Sequence, residues 1–128
     1  RLEAALDRFP ALRRKADQQA STLSGGEQKQ LEIVRGLLLD PQLVLIDEPS
    51  IGLSPMMVQE TFGILKDLRA KGVTILMVEQ NARSALEISD EGLVLELGQT
   101  RMQGPAAEIL ADPRVGQLFL GGAMTDAA

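Results

Sequence analysis

Two adjacent carboxylates, Asp47 and Glu48, end the apolar run Leu43-Val44-Leu45-Ile46, and upstream a serine with two glycines, Ser24-Gly25-Gly26, opens a helical pattern. Carboxylate oxygens suit a hydrated Mg²⁺, and a carboxylate can also orient or deprotonate a water. Glycines at the head of a helix let an anion approach unpaired N–H groups that carry partial positive charge, so phosphate is the guest this end favours. Each signal alone has a plain structural explanation. One is a capped glycine turn and the other a solvated strand end bearing two acids. A single stretch holding both points to phosphate and metal chemistry.

Positioning those residues takes a helix and a parallel sheet. From Glu27 to Leu39, Leu31, Val34 and Leu38 recur at i, i+3 and i+7 with Ile33 and Leu37 beside them, which predicts a helix capped by Ser24. Leu43 to Ile46, bounded by Asp40-Pro41 and Pro49, reads as a short strand buried on both faces. Asp47 and Glu48 then sit at its C-terminal edge, where open α/β sheets bind ligands. Neighbouring strand residues point to opposite sides, so one acid would hold hydrated metal and the other would act on water. Ser54-Pro55 starts a helix to about Lys71 that buries Met57, Val58, Phe62, Leu65 and Leu68, with Gly72 as its stop. Val73 to Val78 is the next buried strand, joined by a right-handed crossover and followed by Glu79, Gln80 and Asn81. Ala82 to Ser89 gives a short helix; Gly92–Leu97 and Thr100–Gln103 form a hairpin turning at Gly98-Gln99. Gly104-Pro105 opens a helix to about Ala111, Asp112-Pro113 breaks it, and Arg114 to Leu120 adds a last amphipathic turn. At the other end, residues 1–19 read as a short helix, Phe9-Pro10 and a polar stretch, with Arg13, Arg14 and Lys15 as a solvated face.

Composition narrows the chemistry. A chain of 128 residues is one domain at most and small for a nucleotide-hydrolysing α/β fold. With 45% hydrophobic residues and mean hydropathy of +0.03 it reads as globular, with no apolar run near the ~20 residues of a membrane span. The charged opening RLEAALDRF is no signal peptide. Without cysteine or histidine, catalysis must rest on carboxylates, amides, hydroxyls, Lys or Arg. A net charge of −5 and only three phenylalanines argue against a nucleic-acid surface.

Three motifs in order, LSGGEQ at 23–28, LVLIDEP at 43–49 and SIGLSP at 50–55, resemble the signature, Walker B strand and D-loop of the ATP-binding subunits of ATP-binding cassette (ABC) transporters. VEQNA at 78–82, FPAL at 9–12 and LFLGG at 118–122 resemble the branched-chain amino acid branch of that family. The resemblance implies an ATPase using ATP and Mg²⁺, in which two subunits, identical or different, sandwich two nucleotides. Ser24, Gly25 and Gly26, with Gln28, would contact the nucleotide held by the other subunit. Asp47 would hold Mg²⁺ through water, and Glu48 would activate the attacking water. Gln80 stands where most members place a γ-phosphate-sensing histidine; its neutral amide can donate a hydrogen bond without carrying charge, the alternative being that it only caps the next helix. Ser54 replaces an aspartate common in the D-loop, which keeps hydrogen bonding and drops charge. Transmembrane permease subunits, an indirectly coupled solute-binding protein and a peripheral position on the inner face of the bacterial membrane are implied as well.

The resemblance runs from about Phe9 to Gly122 and matches the second half of the family's domain. No G-x-x-x-x-G-K-[ST] loop occurs, so the β- and γ-phosphate cradle is absent from these residues. The chain is therefore expected to be a fragment, inactive alone, of a partial P-loop NTPase-type α/β fold: mostly parallel strands with flanking helices, then a β-hairpin and short helices. Its expected parts are residues 1–22 leading to the signature, 23–103 as the α/β core, 104–122 as C-terminal helices and 123–128 as a disordered tail. Alternatives are an importer ATPase for urea or another small solute, a non-catalytic signature or dimer-contact module, and a DNA-maintenance ATPase. The last normally adds long coiled coils and basic surfaces.

Overall fold

Serine, proline and glycine mark most element ends in the computed structural model, which describes residues 2–119. Its contacts divide the chain between Gln80 and Asn81. The first unit holds α1 (Leu2–Leu6), α2 (Pro10–Arg13), a 3₁₀ turn (Ala20–Thr22), α3 (Gly25–Leu37), β1 (Leu43–Asp47), α4 (Pro55–Ala70) and β2 (Thr74–Val78). The second holds α5 (Ala82–Ile88), β3 (Glu91–Glu96), β4 (Gln99–Pro105), α6 (Ala106–Ala111) and α7 (Pro113–Phe119). The α/β class expected from the sequence is the one observed. The proposed tail at 123–128 and Leu120 to Gly122 lie outside the described residues.

In the first unit, Leu6, Phe9, Leu12 and Val34 are buried where α1, α2 and α3 pack together, and Phe62, Ile64, Leu65 and Leu68 are buried on α4. Helix α4 begins at Pro55 behind the N-cap Ser54 and ends at Ala70 with Lys71 as its C-cap, after which Gly72 adopts φ +88. A left-handed residue there is strained for anything but glycine, so Gly72 stops the helix. Strands β1 and β2 pair in parallel, with Leu43 opposite Thr74 and Asp47 opposite Val78.

Burial on both faces of this pair does not occur. Among the described residues β1 and β2 form a two-stranded sheet with alternating burial. Val44, Ile46, Ile75 and Met77 are half-buried, whereas Leu43 is 55% exposed, Leu45 69%, Leu76 63% and Val78 61%. The apolar run is continuous because both faces are built to be covered, but α4 can cover only one. The basic run at 13–15 is not simply solvated either. Arg13 pairs with Glu3 and Asp7, and Lys15 with Glu27.

In the second unit, Leu86, Ala106, Ile109 and Val115 form a core joined by Val94, Met102 and Leu110. Gly92 packs closely there: a Cβ would lie 2.7 Å from Leu86 Cδ2 and 2.9 Å from Ile109 Cδ1, so a larger residue would force those side chains to shift. The hairpin turns at Leu97-Gly98, one residue before the expected pair, because Glu96 and Gln99 are partners. Both turn residues have positive φ, 50 and 75, matching the right-handed twist of the strands.

Candidate functional site

Ser24, Gly25, Gly26 and Gln28 gather at the start of α3. Ser24 Oγ accepts the Glu27 N–H at 3.3 Å and the Glu27 carboxylate accepts the Ser24 N–H at 2.9 Å, a reciprocal capping box. Lys15 Nζ, 2.7 Å from Glu27 Oε1 and 2.8 Å from Oε2, holds that carboxylate in place. The Lys15 hydrogen bond, then the Ser24 N–H, lowers the Glu27 pKa below its ordinary range. With these bonds made, the Gly25 and Gly26 N–H groups have no partner among the described residues, and they are the amides left for an incoming anion. Gln28 is exposed and its Nε2 donates to the Leu23 carbonyl at 3.2 Å, so its side chain leans back over the cap.

The two glycines differ. Gly25 is exposed and nothing lies within 4 Å of where its Cβ would be. Gly26 is buried, and a Cβ would come 2.9 Å from Met57 Sδ and Cε and 3.2 Å from Leu53 Cδ2. The start of α3 is thus seated on the loop that leads into α4. At the end of that loop Ser54 Oγ accepts the Met57 N–H at 3.4 Å and the serine itself is exposed.

Asp47, Glu48 and Gln80 come together at the C-terminal edge of the parallel pair. Asp47 closes β1 on the exposed face, in register with Val78. Glu48 does not continue the strand: its φ is +44, while its N–H donates to the Val78 carbonyl at 2.8 Å. Glu48 therefore leaves the strand through a left-handed turn, so strand alternation alone does not set its direction. Neither carboxylate is engaged with another described residue. Gln80 is exposed immediately after β2 and is not the cap of α5; Asn81 is, with its Oδ1 accepting the Ser84 N–H at 3.4 Å.

Glu79, to which the sequence pattern assigns no role, bridges the two strand ends. Its Oε2 accepts the Ser50 N–H at 3.0 Å, and its Oε1 accepts the Ser50 hydroxyl at 2.7 Å and the Gln80 N–H at 3.0 Å. The sequence does hold a signal for it: each of two adjacent parallel strands is followed by a glutamate, and the strand ends are in register.

The sequence profile described as ABC transporter matches residues 1–51, which include Ser24-Gly25-Gly26 and the Asp47-Glu48 pair. Across 94% of its length the chain is 45% identical to the high-affinity branched-chain amino acid transport ATP-binding protein BraG of Pseudomonas aeruginosa, covering 52% of that protein. The chain belongs to the ABC transporter family of ATP-binding proteins. It is also 38% identical, over 82% of its length and 44% of the relative's, to the lipopolysaccharide export system ATP-binding protein LptB of Acidithiobacillus ferridurans. The solved ADP conformation of an ATP-binding cassette of an ABC transporter superposes with a TM-score of 0.71 at 31% identity, covering 93% of this chain and 49% of that one. The chain spans about half the length of the ABC relatives it matches.

The ABC family uses Mg²⁺ with its nucleotide, and the residues present fit that ion. Magnesium usually keeps several waters and needs only one or two carboxylates beside phosphate oxygens. Asp47, exposed and unengaged, meets that need without a cluster of three acids, and none occurs among the described residues.

Proposed function

We propose that the chain is the signature and Walker B portion of an ATP-hydrolysing subunit of an ABC importer for branched-chain amino acids. The observation that carries this reading is the gathering of two unengaged carboxylates and the Gln80 loop at one strand edge. In this reading the free amides of Gly25 and Gly26, with Ser24 and Gln28, bind the γ-phosphate of ATP held by a second ATP-binding subunit. Asp47 binds Mg²⁺ through water, and the ion when present offsets phosphate charge. Glu48 takes the proton of the attacking water. Gln80 donates an amide hydrogen bond to the γ-phosphate, and the Ser54 hydroxyl bonds across the dimer.

ATP-driven dimerisation then works on transmembrane permease subunits, with a solute-binding protein coupled indirectly, at the inner face of the membrane. No helix among the described residues is long and apolar enough to cross a membrane itself. The higher identity to BraG than to LptB, 45% against 38%, favours the amino acid cargo. The LptB similarity supports a different cargo as the second reading. Uptake of labelled leucine, lost on deletion and restored by the gene, separates the two.

In the full-length subunit, Glu48→Gln should cut turnover by at least about tenfold, or ~1.4 kcal/mol of barrier, while ATP binding persists and the ATP-bound dimer accumulates. The amide keeps size and hydrogen bonding but is no base. Single-turnover hydrolysis together with nucleotide titration checks this. Turnover near wild type removes Glu48 as the general base.

A further inference from the structure

We propose that Glu79 is the positioning residue of the Glu48–Gln80 edge: its carboxylate fixes the left-handed turn that aims Glu48 and ties that turn to the Gln80 backbone. The catalytic consequence rests on the ATPase reading; the clamp itself rests on geometry. Glu48 at φ +44 is in a region that residues with a Cβ avoid, so its conformation persists only if the chain is held on both sides. On the entering side its own N–H donates to the Val78 carbonyl at 2.8 Å. On the leaving side Pro49 has no N–H to offer, so Ser50 provides the first donor after the turn. Both Ser50 donors, N–H at 3.0 Å and hydroxyl at 2.7 Å, go to Glu79.

The same carboxylate accepts the Gln80 N–H at 3.0 Å. One half-buried side chain therefore joins the segment after β1 to the segment after β2, and Glu48 and Gln80 are held as a pair. Hydrogen bonds to an ionised acceptor are the stronger kind, which suits a group that must oppose backbone strain.

The test uses Glu79→Ala, Glu79→Gln, Ser50→Ala and the Ser50→Ala/Glu79→Ala double variant in the full-length subunit, read by steady-state kinetics and peptide-resolved amide exchange. Glu79→Ala should lower kcat by about tenfold or more while KM for ATP stays within about twofold, the signature of lost positioning rather than lost binding. Ser50→Ala should lower kcat less, and adding it to Glu79→Ala should change kcat by under about twofold, because both act through one contact. Amide exchange at Ser50 and Gln80 should quicken about tenfold in Glu79→Ala, with Val44 to Asp47 unchanged. Glu79→Gln retains one acceptor oxygen where the Ser50 and Gln80 N–H groups use separate ones, so one of the two amides should lose protection while the other keeps it, and part of kcat should recover.

A kcat within twofold of wild type in Glu79→Ala, or exchange that rises equally along β1, overturns the proposal. If Glu79→Ala does not fold, Glu79→Gln decides: unaltered protection at both amides overturns the clamp. Should Glu48→Gln leave hydrolysis intact, the general-base reading fails while the exchange arm still judges Glu79.

Discussion

At the residue scale, Gly25 and Gly26 are adjacent letters of one motif but are glycines for different reasons. Gly25 faces open space beside a free amide, whereas Gly26 is the close-approach point of α3 on Leu53 and Met57. Gly25→Ala should therefore leave the chain as stable or up to about 1 kcal/mol more so, while in the full-length subunit it weakens ATP-driven dimerisation. Gly26→Val should cost about 1–3 kcal/mol from overpacking, and Met57→Ala should recover part of it. Gly26→Ala should cost less, because the atoms it meets are the far end of a flexible thioether. Urea melts of the four variants check the order. The sequence made the phosphate motif legible through local chemistry, but Gly26 touches a residue far along the chain, and no local pattern reports such a contact.

At the element scale, α3 shows what periodicity can and cannot give. Ser24 is the N-cap as expected, and Val34 is buried, but the buried row is Gly26, Gln30 and Val34 rather than Leu31, Val34 and Leu38. Gln30 is fully buried with its Nε2 donating to Glu60 Oε2 at 3.3 Å, and a polar residue in a core row is invisible to a hydrophobic pattern. The capping box gives this element a pH dependence. Glu27 has a pKa lowered by Lys15 and by the Ser24 N–H, so the cap's contribution is fully present above the ordinary glutamate value of 4.5. That contribution is lost as pH falls through that value and the lower folded one. Glu27→Gln keeps the box, since glutamine serves at this position, but cannot titrate or pair with Lys15. Wild type should exceed Glu27→Gln in stability at pH 7, and the difference should shrink as pH falls below 4.5 and through the lower folded value. A gap that persists at low pH would show that the carboxylate charge is not what Lys15 and the cap hold.

At the scale of the whole molecule, the class of fold was legible because strands, helices and breakers alternate in the order an α/β chain requires. The layering was not. A buried strand and a strand with one uncovered face have the same apolar run, and the difference depends on what lies over Leu45 and Leu76. The same one-sidedness governs ligand binding by the 128 residues alone. Each group proposed to meet ATP here would meet only part of it: two amides at the head of α3 would reach toward a terminal phosphate, and Asp47 would act through metal and water. Nothing in the sequence offers the amide loop and lysine that wrap the β- and γ-phosphates, and three phenylalanines are its entire aromatic content. The chain alone should therefore hydrolyse no measurable ATP and bind Mg-ATP no more tightly than about 1 mM, near −4 kcal/mol, by calorimetric titration. Micromolar binding, near −8 kcal/mol, would place roughly 4 kcal/mol of recognition in residues assigned none here. In that event Gly25→Ala and Asp47→Ala locate it: a Kd that follows either substitution assigns the affinity to that group, and one that follows neither directs the search to other surfaces.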